Sequence, residues 1–178
     1  MPIVKIYAIC EMTMETDQHT SATPEDHVFM QEAIRQAKLA ASKDEVPVGA
    51  VIVHNKRIIA KAYNQVELLN DPTAHAEIIA ITQAANTLSC KWLNDCRVYV
   101  TIEPCSMCAG ALVLARIKTL FFGAKDPKAG ACGSCLNIAD HISLNHKFDV
   151  VDGICADECA QLMRDFFKKK RKEGVNLN

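Results

Sequence analysis

The sequence predicts an α/β fold in which helices cover both faces of a mainly parallel sheet. Three observations lead there. Short β-rich runs alternate with stretches of helical periodicity, so successive strands need crossover connections, and those favour parallel pairing. With 178 residues, 49% hydrophobic and 23% charged, the chain is long enough to bury one good core and short enough to form one domain. No internal repeat or low-complexity linker divides it.

The elements follow in order. Residues 1–23 read as a loosely ordered N-terminal extension and 24–178 as the folded domain. The extension begins with a short apolar run interrupted by Lys5, which can pack as an added strand, and continues as a polar, aperiodic stretch over 15–22. It has no basic leading region or small-residue cleavage site and is too short in apolar residues to cross a bilayer. It is therefore expected to be neither a signal peptide nor a membrane span. Thr23, Pro24 and two acids mark a helix start, and Met30, Ala33, Ile34, Ala37 and Ala41 then recur at helical spacing to about Ser42. Residues 48–53 and 57–63 flank His54-Asn55-Lys56 as the strands of a hairpin. An apolar helix over 76–88, a strand at 98–102, a helix starting at Pro104 and a strand at 119–123 come next. A Gly-containing loop at 124–137, a weaker strand near 148–151 and a long helix from about Asp157 complete the order.

Chemistry concentrates in two motifs, His75-Ala76-Glu77 and Pro104-Cys105-Ser106-Met107-Cys108. His75, Cys105 and Cys108 supply three metal ligands, which leaves a tetrahedral ion one position open to water, whereas a structural site closes it with a fourth Cys or His. Glu77 remains as an unliganded carboxylate able to move that water's proton. The positive end of a helix beginning at Pro104 faces Cys105 and Cys108 and favours thiolate over thiol. H-x-E followed by P-C-x-x-C is the signature of zinc-dependent nucleobase deaminases, in which the Glu is the acid/base. The two halves carry weight together: alone, His75 reads as a core histidine, Cys105 and Cys108 as a redox pair, and Glu77 as a solvated helix residue.

Composition narrows the classes. A formal net charge of −1 excludes a protein that coats nucleic acid indiscriminately, so any RNA contact has to come from a local basic patch. Nine cysteines cannot all pair within one chain, and the metal motif needs reduced thiols. A cytoplasmic protein is expected.

Beyond the zinc motifs, several segments resemble one family: Glu45-Val46-Pro47-Val48-Gly49-Ala50-Val51, Asn64, Asp71-Pro72-Thr73-Ala74, Tyr99-Val100-Thr101, Phe122-Gly123-Ala124-Lys125-Asp126, Asn145-His146, and Asp157-Glu158-Cys159-Ala160 leading to Phe166-Phe167. Over 26–171 the chain is similar to the bacterial-type tRNA-specific adenosine deaminases of the cytidine deaminase-like superfamily. The resemblance implies a three-layer α/β/α domain with a central five-stranded mixed sheet, a homodimer, and one zinc ion per chain held by His75, Cys105 and Cys108. It further implies conversion of adenosine to inosine at the wobble position of a tRNA anticodon stem-loop, with Glu77 shuttling protons. Asn64 matches a base-contacting Asn, the backbone near Ala76 holds the base edge, Val48 lines the pocket, and Asp126 meets a neighbouring ribose.

Each carried-over role has a plainer alternative. Asn64 can close a turn, Val48 can be core, and Asp126 before Pro127 can be turn chemistry. Residues 168–172 are five consecutive basic residues. They read either as a solvated tail or as a phosphate contact, with Phe167 available to stack on a splayed base and Lys168 to meet the backbone. The extension before Thr23 and a second C-x-x-C, Cys132 and Cys135, depart from the family. With Cys155 and Cys159 these thiols are expected to be small core residues, a closed structural zinc site being the rival. Two other functions stand beside the first. A deaminase of free cytosine, guanine or nucleosides uses the same zinc motif, and a zinc-stabilised RNA-binding module needs a fourth ligand that the sequence does not offer.

Overall fold

A computed structural model describes residues 22–174; residues 1–21 of the expected extension, and 175–178, lie outside the described residues. Thr23 and Asp26 close a capping box, each side chain bonded to the other's backbone N–H, and Pro24 sits in the first turn where its missing N–H is not needed. This starts α1 (Pro24–Ser42), whose stripe of Phe29, Met30, Ala33, Ile34, Ala37 and Ala40 is buried. The hairpin forms as β1 (Gly49–His54) and β2 (Arg57–Tyr63), with φ of 48° at Asn55 and 59° at Lys56. That left-handed pair gives a two-residue turn matching the strand twist. There follow a short α2 (Val66–Leu69), α3 (Ala76–Leu88), β3 (Arg97–Ile102), α4 (Ser106–Ala115), β4 (Thr119–Ala124), β5 (Asp149–Val151) and α5 (Ala156–Lys172).

The five strands lie in the order β2-β1-β3-β4-β5. β3–β4 and β4–β5 are parallel pairs, but β1 is antiparallel to both β2 and β3. The sheet is therefore mixed, and the expectation of a mainly parallel one is corrected. The reason lies in the crossover. Helix α3 joins β2 to β3, which do run parallel, as the alternation of elements implied; the hairpin strand β1 fills the place between them. Alternation constrains the directions of two strands joined by a helix, not which strand comes to lie between.

Side chains alternate across the sheet. Ala50, Ile52, Val98, Val100, Leu120 and Phe122 share one core with residues of α3 and α4, whereas Val51, Val53, Tyr99 and Phe121 share another with α1 and Cys159 of α5. Such a period of two with both sets buried is the pattern of a sheet covered on both faces, so the three layers are α/β/α. Because β1 begins where β2, β3 and β4 end, the segments holding Val48, Asn64, Glu103 to Cys105 and Asp126 all emerge at one end of the sheet. A crevice outside strand ends is where open α/β sheets take ligands.

Candidate active site

His75 and Cys105 are the N-caps of α3 and α4. Two helix N-termini thus converge, bringing unpaired N–H groups and positive dipole ends to one place. The helix expected from Pro104 begins instead at Ser106. The Pro104 carbonyl accepts the Ala131 N–H at 2.9 Å and Cys105 bridges Gly130 in antiparallel fashion, so the chain stays extended through Cys105. The thiols still meet. The ligand atoms of His75, Cys105 and Cys108 lie within 4.8 Å of one another, the only such group of three among the described residues. Nδ1 of His75 is 3.5 Å from Sγ of Cys108 and 3.8 Å from Sγ of Cys105.

The contacts within the cluster place the negative charge on Cys105. Hydrogen bonds from Cys108 and His75 draw the Cys105 thiol down to about 3, while the same Cys105 contact and burial push Cys108 up. His75 is raised by its bond to Cys105 against the effect of burial. One imidazole nitrogen and two sulfurs in this arrangement can hold a metal ion.

Glu77, the second residue of α3, is 3% exposed. Its Oε2 is the one buried side-chain oxygen or nitrogen among the described residues without a hydrogen-bond partner. Burial raises the carboxyl above its ordinary range, and its own backbone N–H and the charge of His75 only partly oppose this. A buried carboxylate oxygen without a partner is costly to the fold, and a carboxyl with a raised proton affinity suits general acid–base work.

A cavity of about 690 Å³ joins the cluster to the carried-over positions: His75, Glu77 and Cys105 line it with Val48, Asn64 and Asp126. Ala76 is fully buried beside them and does not line it. Phe167 and Lys168 line a neighbouring groove with Lys125, Lys128, Arg164 and Arg171, and Asp126, Met163 and Lys170 border both spaces. The basic run is not uniformly solvated. Lys168, Lys169, Arg171 and Lys172 are exposed, but Lys170 is buried, ion-paired with Asp44, with its ammonium 5.7 Å from the centre of the Phe166 ring.

Two buried carboxylates carry more of the site than sequence reasoning assigned them. Glu103, 2% exposed, accepts the backbone N–H groups of Asp126 at 3.1 Å, Cys132 at 3.0 Å and Ser134 at 2.9 Å, and the Ser134 hydroxyl. Burial opposes its ionisation, but these bonds outweigh burial and leave the carboxyl below its ordinary range. Gly130 packs so closely on that carboxylate that a Cβ would come within 2.4 Å of it. The loop bearing Asp126 is thereby pinned against Pro104 and Cys105. Within it Asp126 Oδ1 accepts the N–H groups of Lys128 and Ala129, so turn chemistry and a place at the cavity coexist. The signal was a lone acid between an apolar strand and a proline. Glu45, 1% exposed, is the second, and it binds Asn64.

The remaining thiols do not assemble a second cluster among the described residues. Cys132 and Cys159 are buried, as core residues are, but Cys135 is exposed and Cys155 half-buried, so the core expectation is corrected for these two: the Cys135 thiol donates to the Pro127 carbonyl, and Cys155 Sγ lies 3.7 Å from Nδ1 of His27.

Comparison with known proteins identifies the family. The family model of MafB19-like deaminases matches residues 24–171. The tRNA-specific adenosine deaminase of Aquifex aeolicus is 49% identical over 147 residues, covering 83% of this chain and 97% of that protein. That of Bacillus subtilis is 44% identical over 149 residues, covering 84% and 92%. The chain belongs to the tRNA-specific adenosine deaminase family. A solved tRNA:A34 deaminase, studied for A-to-I editing at the wobble position, superposes with a TM-score of 0.74 at 43% identity over 76% of this chain and 98% of that one. The guanine deaminase of Nitrosomonas europaea shares the fold, with a TM-score of 0.69 at 22% identity over 83% and 86% of the two chains. The chain thus covers 92 to 98% of the length of these tRNA deaminases.

Proposed function

We propose that this protein deaminates adenosine to inosine at the wobble position of a tRNA anticodon, with one zinc ion per chain held by His75, Cys105 and Cys108. The observation that carries this reading is the buried Glu77 carboxylate, its Oε2 without a partner, beside the His-Cys-Cys cluster in a cavity also lined by Asn64 and Asp126. Relatives bearing that activity in their names, at 44 to 49% identity, support it.

The donor set fits zinc. Zinc–sulfur and zinc–nitrogen bonds of about 2.3 and 2.05 Å at tetrahedral angles put N and S about 3.6 Å apart, against the 3.5 and 3.8 Å found. Bound zinc acts as a Lewis acid that makes water nucleophilic near neutral pH. The chain's own groups do the rest. Glu77 takes a proton from the attacking water as oxygen bonds to C6, and delivers it to ring N1. It then carries the second proton to the departing amine as the C6–N6 bond breaks, so water and adenosine become inosine and ammonia. Asn64 and Val48 hold the base, and the wall of the cavity limits the water that reaches it. In the adjoining groove, Lys168 and Arg171 meet phosphates while Phe167 offers a face to an unstacked base. An anticodon loop already presents unpaired bases, so the target costs less to extract than it would from a duplex.

The whole protein is taken to act as a homodimer, whose interface would cover apolar side chains such as Leu114 and Ile142, 79% and 88% exposed. We place it in the cytoplasm, where its unpaired thiols stay reduced; no described helix is long and apolar enough to cross a membrane. The deciding experiment measures inosine and ammonia in parallel from an anticodon stem-loop, free adenosine, cytosine and guanine. Turnover of the stem-loop with the free compounds nearly untouched is expected. Efficient turnover of cytosine or guanine with none of the stem-loop would overturn the substrate and leave the hydrolytic site intact.

A further inference from the structure

Asn64 can offer a ligand either end of its amide, and the two ends have opposite hydrogen-bonding character. The buried neighbour Glu45 decides between them. Asn64 and Glu45 are 5% and 1% exposed, and both line the cavity. The Glu45 carboxylate receives Asn64 Nδ2 at 3.2 Å and the backbone N–H groups of Glu67 at 3.3 Å and Leu68 at 2.7 Å. A carboxylate only accepts, so the end of the amide that meets it has to be the NH₂. Asn64 Oδ1, at the other end, has no hydrogen-bond partner among the described residues. The two N–H groups from α2 keep the carboxylate itself from turning, since that short helix has no side-chain cap of its own at Gln65.

We infer that Glu45 is a positioning residue that sets the polarity of the pocket: it holds the Asn64 NH₂ so that Oδ1 meets the bound nucleoside as an acceptor and selects a donor, N–H or O–H, on the substrate. This rests on the reading that the cavity takes a nucleoside. The consequence is specificity. A buried acceptor facing a substrate acceptor leaves both unpaired, which is how hydrogen-bonding pockets reject near-isosteres strongly.

The pair can be exchanged to test this. In Glu45→Gln, the Leu68 N–H, the closest of the three donors at 2.7 Å, keeps the new side chain's oxygen; its NH₂ then faces Asn64 and the longer Glu67 contact of 3.3 Å is lost. The Asn64 amide then turns over and presents a donor to the pocket. kcat/KM should fall about 10- to 100-fold with metal content and stem-loop affinity unchanged. Asn64→Asp alone opposes two buried carboxylates and should lower both the melting temperature and activity. In the double variant Glu45→Gln/Asn64→Asp, the introduced amide donates to the introduced carboxylate, whose other oxygen again faces the pocket as an acceptor. kcat/KM should recover, and the melting temperature should rise above that of Asn64→Asp, short of the wild-type value because the Glu67 N–H has lost its acceptor.

Recovery of the melting temperature without recovery of kcat/KM would overturn the inference, because the substrate would then need the Asn64 NH₂. Activity is read on whichever substrate the wild type turns over, so a failure on the stem-loop counts against the proposed function and not against this polarity. A measurement on the wild-type protein stands whether or not the variants fold. Nuclear Overhauser cross-peaks are expected between the Asn64 side-chain NH₂ and the Glu67 backbone N–H, whose hydrogens converge on one oxygen; their absence would also overturn it.

Discussion

Glu77 is buried, raised in proton affinity by that burial, and without a partner for Oε2, a combination the fold has no structural use for. Glu77→Gln keeps its shape and removes its proton chemistry. kcat should drop by at least roughly 100- to 10,000-fold, while bound metal and melting temperature stay at wild-type values. Metal analysis separates the roles, since loss of the ion would make Glu77 a ligand. The thiols should behave in the opposite way: Cys105→Ser or Cys108→Ser should lose metal and activity together, because a hydroxyl is a far poorer ligand than a thiolate. A purely structural residue, Asp26, shows what a satisfied buried carboxylate looks like. It accepts Arg97 at 3.0 Å, the Tyr99 hydroxyl at 2.6 Å and both Thr23 donors. Burial works against its charge, but bonds from Thr23 and Tyr99 and the nearby Arg97 outweigh burial and hold the carboxyl below its ordinary range. Its contribution to stability is therefore present above about pH 4 and is lost as pH falls through its lower folded value. Asp26→Asn should cost about 3 kcal/mol in denaturant unfolding at neutral pH, and the gap to wild type should narrow below about pH 4.

At the scale of elements, α5 combines two tasks in one run of basic residues. Lys170 faces inward to Asp44 and the cavity, while Lys168 and Arg171 face the groove. Removing the whole tail would break the first arrangement and confuse the second. Lys168→Gln with Arg171→Gln should therefore leave melting temperature and metal content unchanged, weaken stem-loop binding, and flatten its salt dependence. Each phosphate that goes unneutralised lowers the slope of log K against log salt by about 0.7 to 0.9. An unchanged slope in a binding titration would remove this face from the RNA interface. The loop after β4 is the other composite element: Glu103 ties Asp126, Cys132 and Ser134 to the strand end that leads into Cys105, so the thiol cluster and the cavity wall share one support.

For the molecule as a whole, stoichiometry is the test. With a single His/Cys/Asp/Glu cluster among the described residues, purified protein should carry one zinc per chain. Two tightly held ions per chain would return Cys132, Cys135, Cys155 and Cys159 to the role of ligands. Sedimentation should give twice the 19.6 kDa chain mass, and a monomer at working concentration would remove the dimer from the proposal.

What the sequence by itself determined was local or patterned. Thr23-Pro24 started α1, period-two and helical runs gave strands and helices in the right order, and H-x-E with P-C-x-x-C marked out three candidate ligands and a carboxylate whose side chains come together. Such signals are legible because neighbouring residues cause them: a cap bonds within its own turn, and a side chain's face follows from its position along one element. What the tertiary structure decided involves residues far apart in the chain. β1 lies between β2 and β3, and α2 exists because Glu45 caps it from some twenty residues away in an otherwise unpatterned stretch. Cys105 caps α4 and does not sit within it, because Ala131 and Gly130 hold its strand-like approach. Val48 reads as plain core until the sheet's shared end turns it to the cavity, and Glu45 and Glu103 read as ordinary acids until burial leaves each only the donors that the fold brings to it. Those partners are chosen by the desolvation of buried polar groups, and that choice is made only when distant segments pack together.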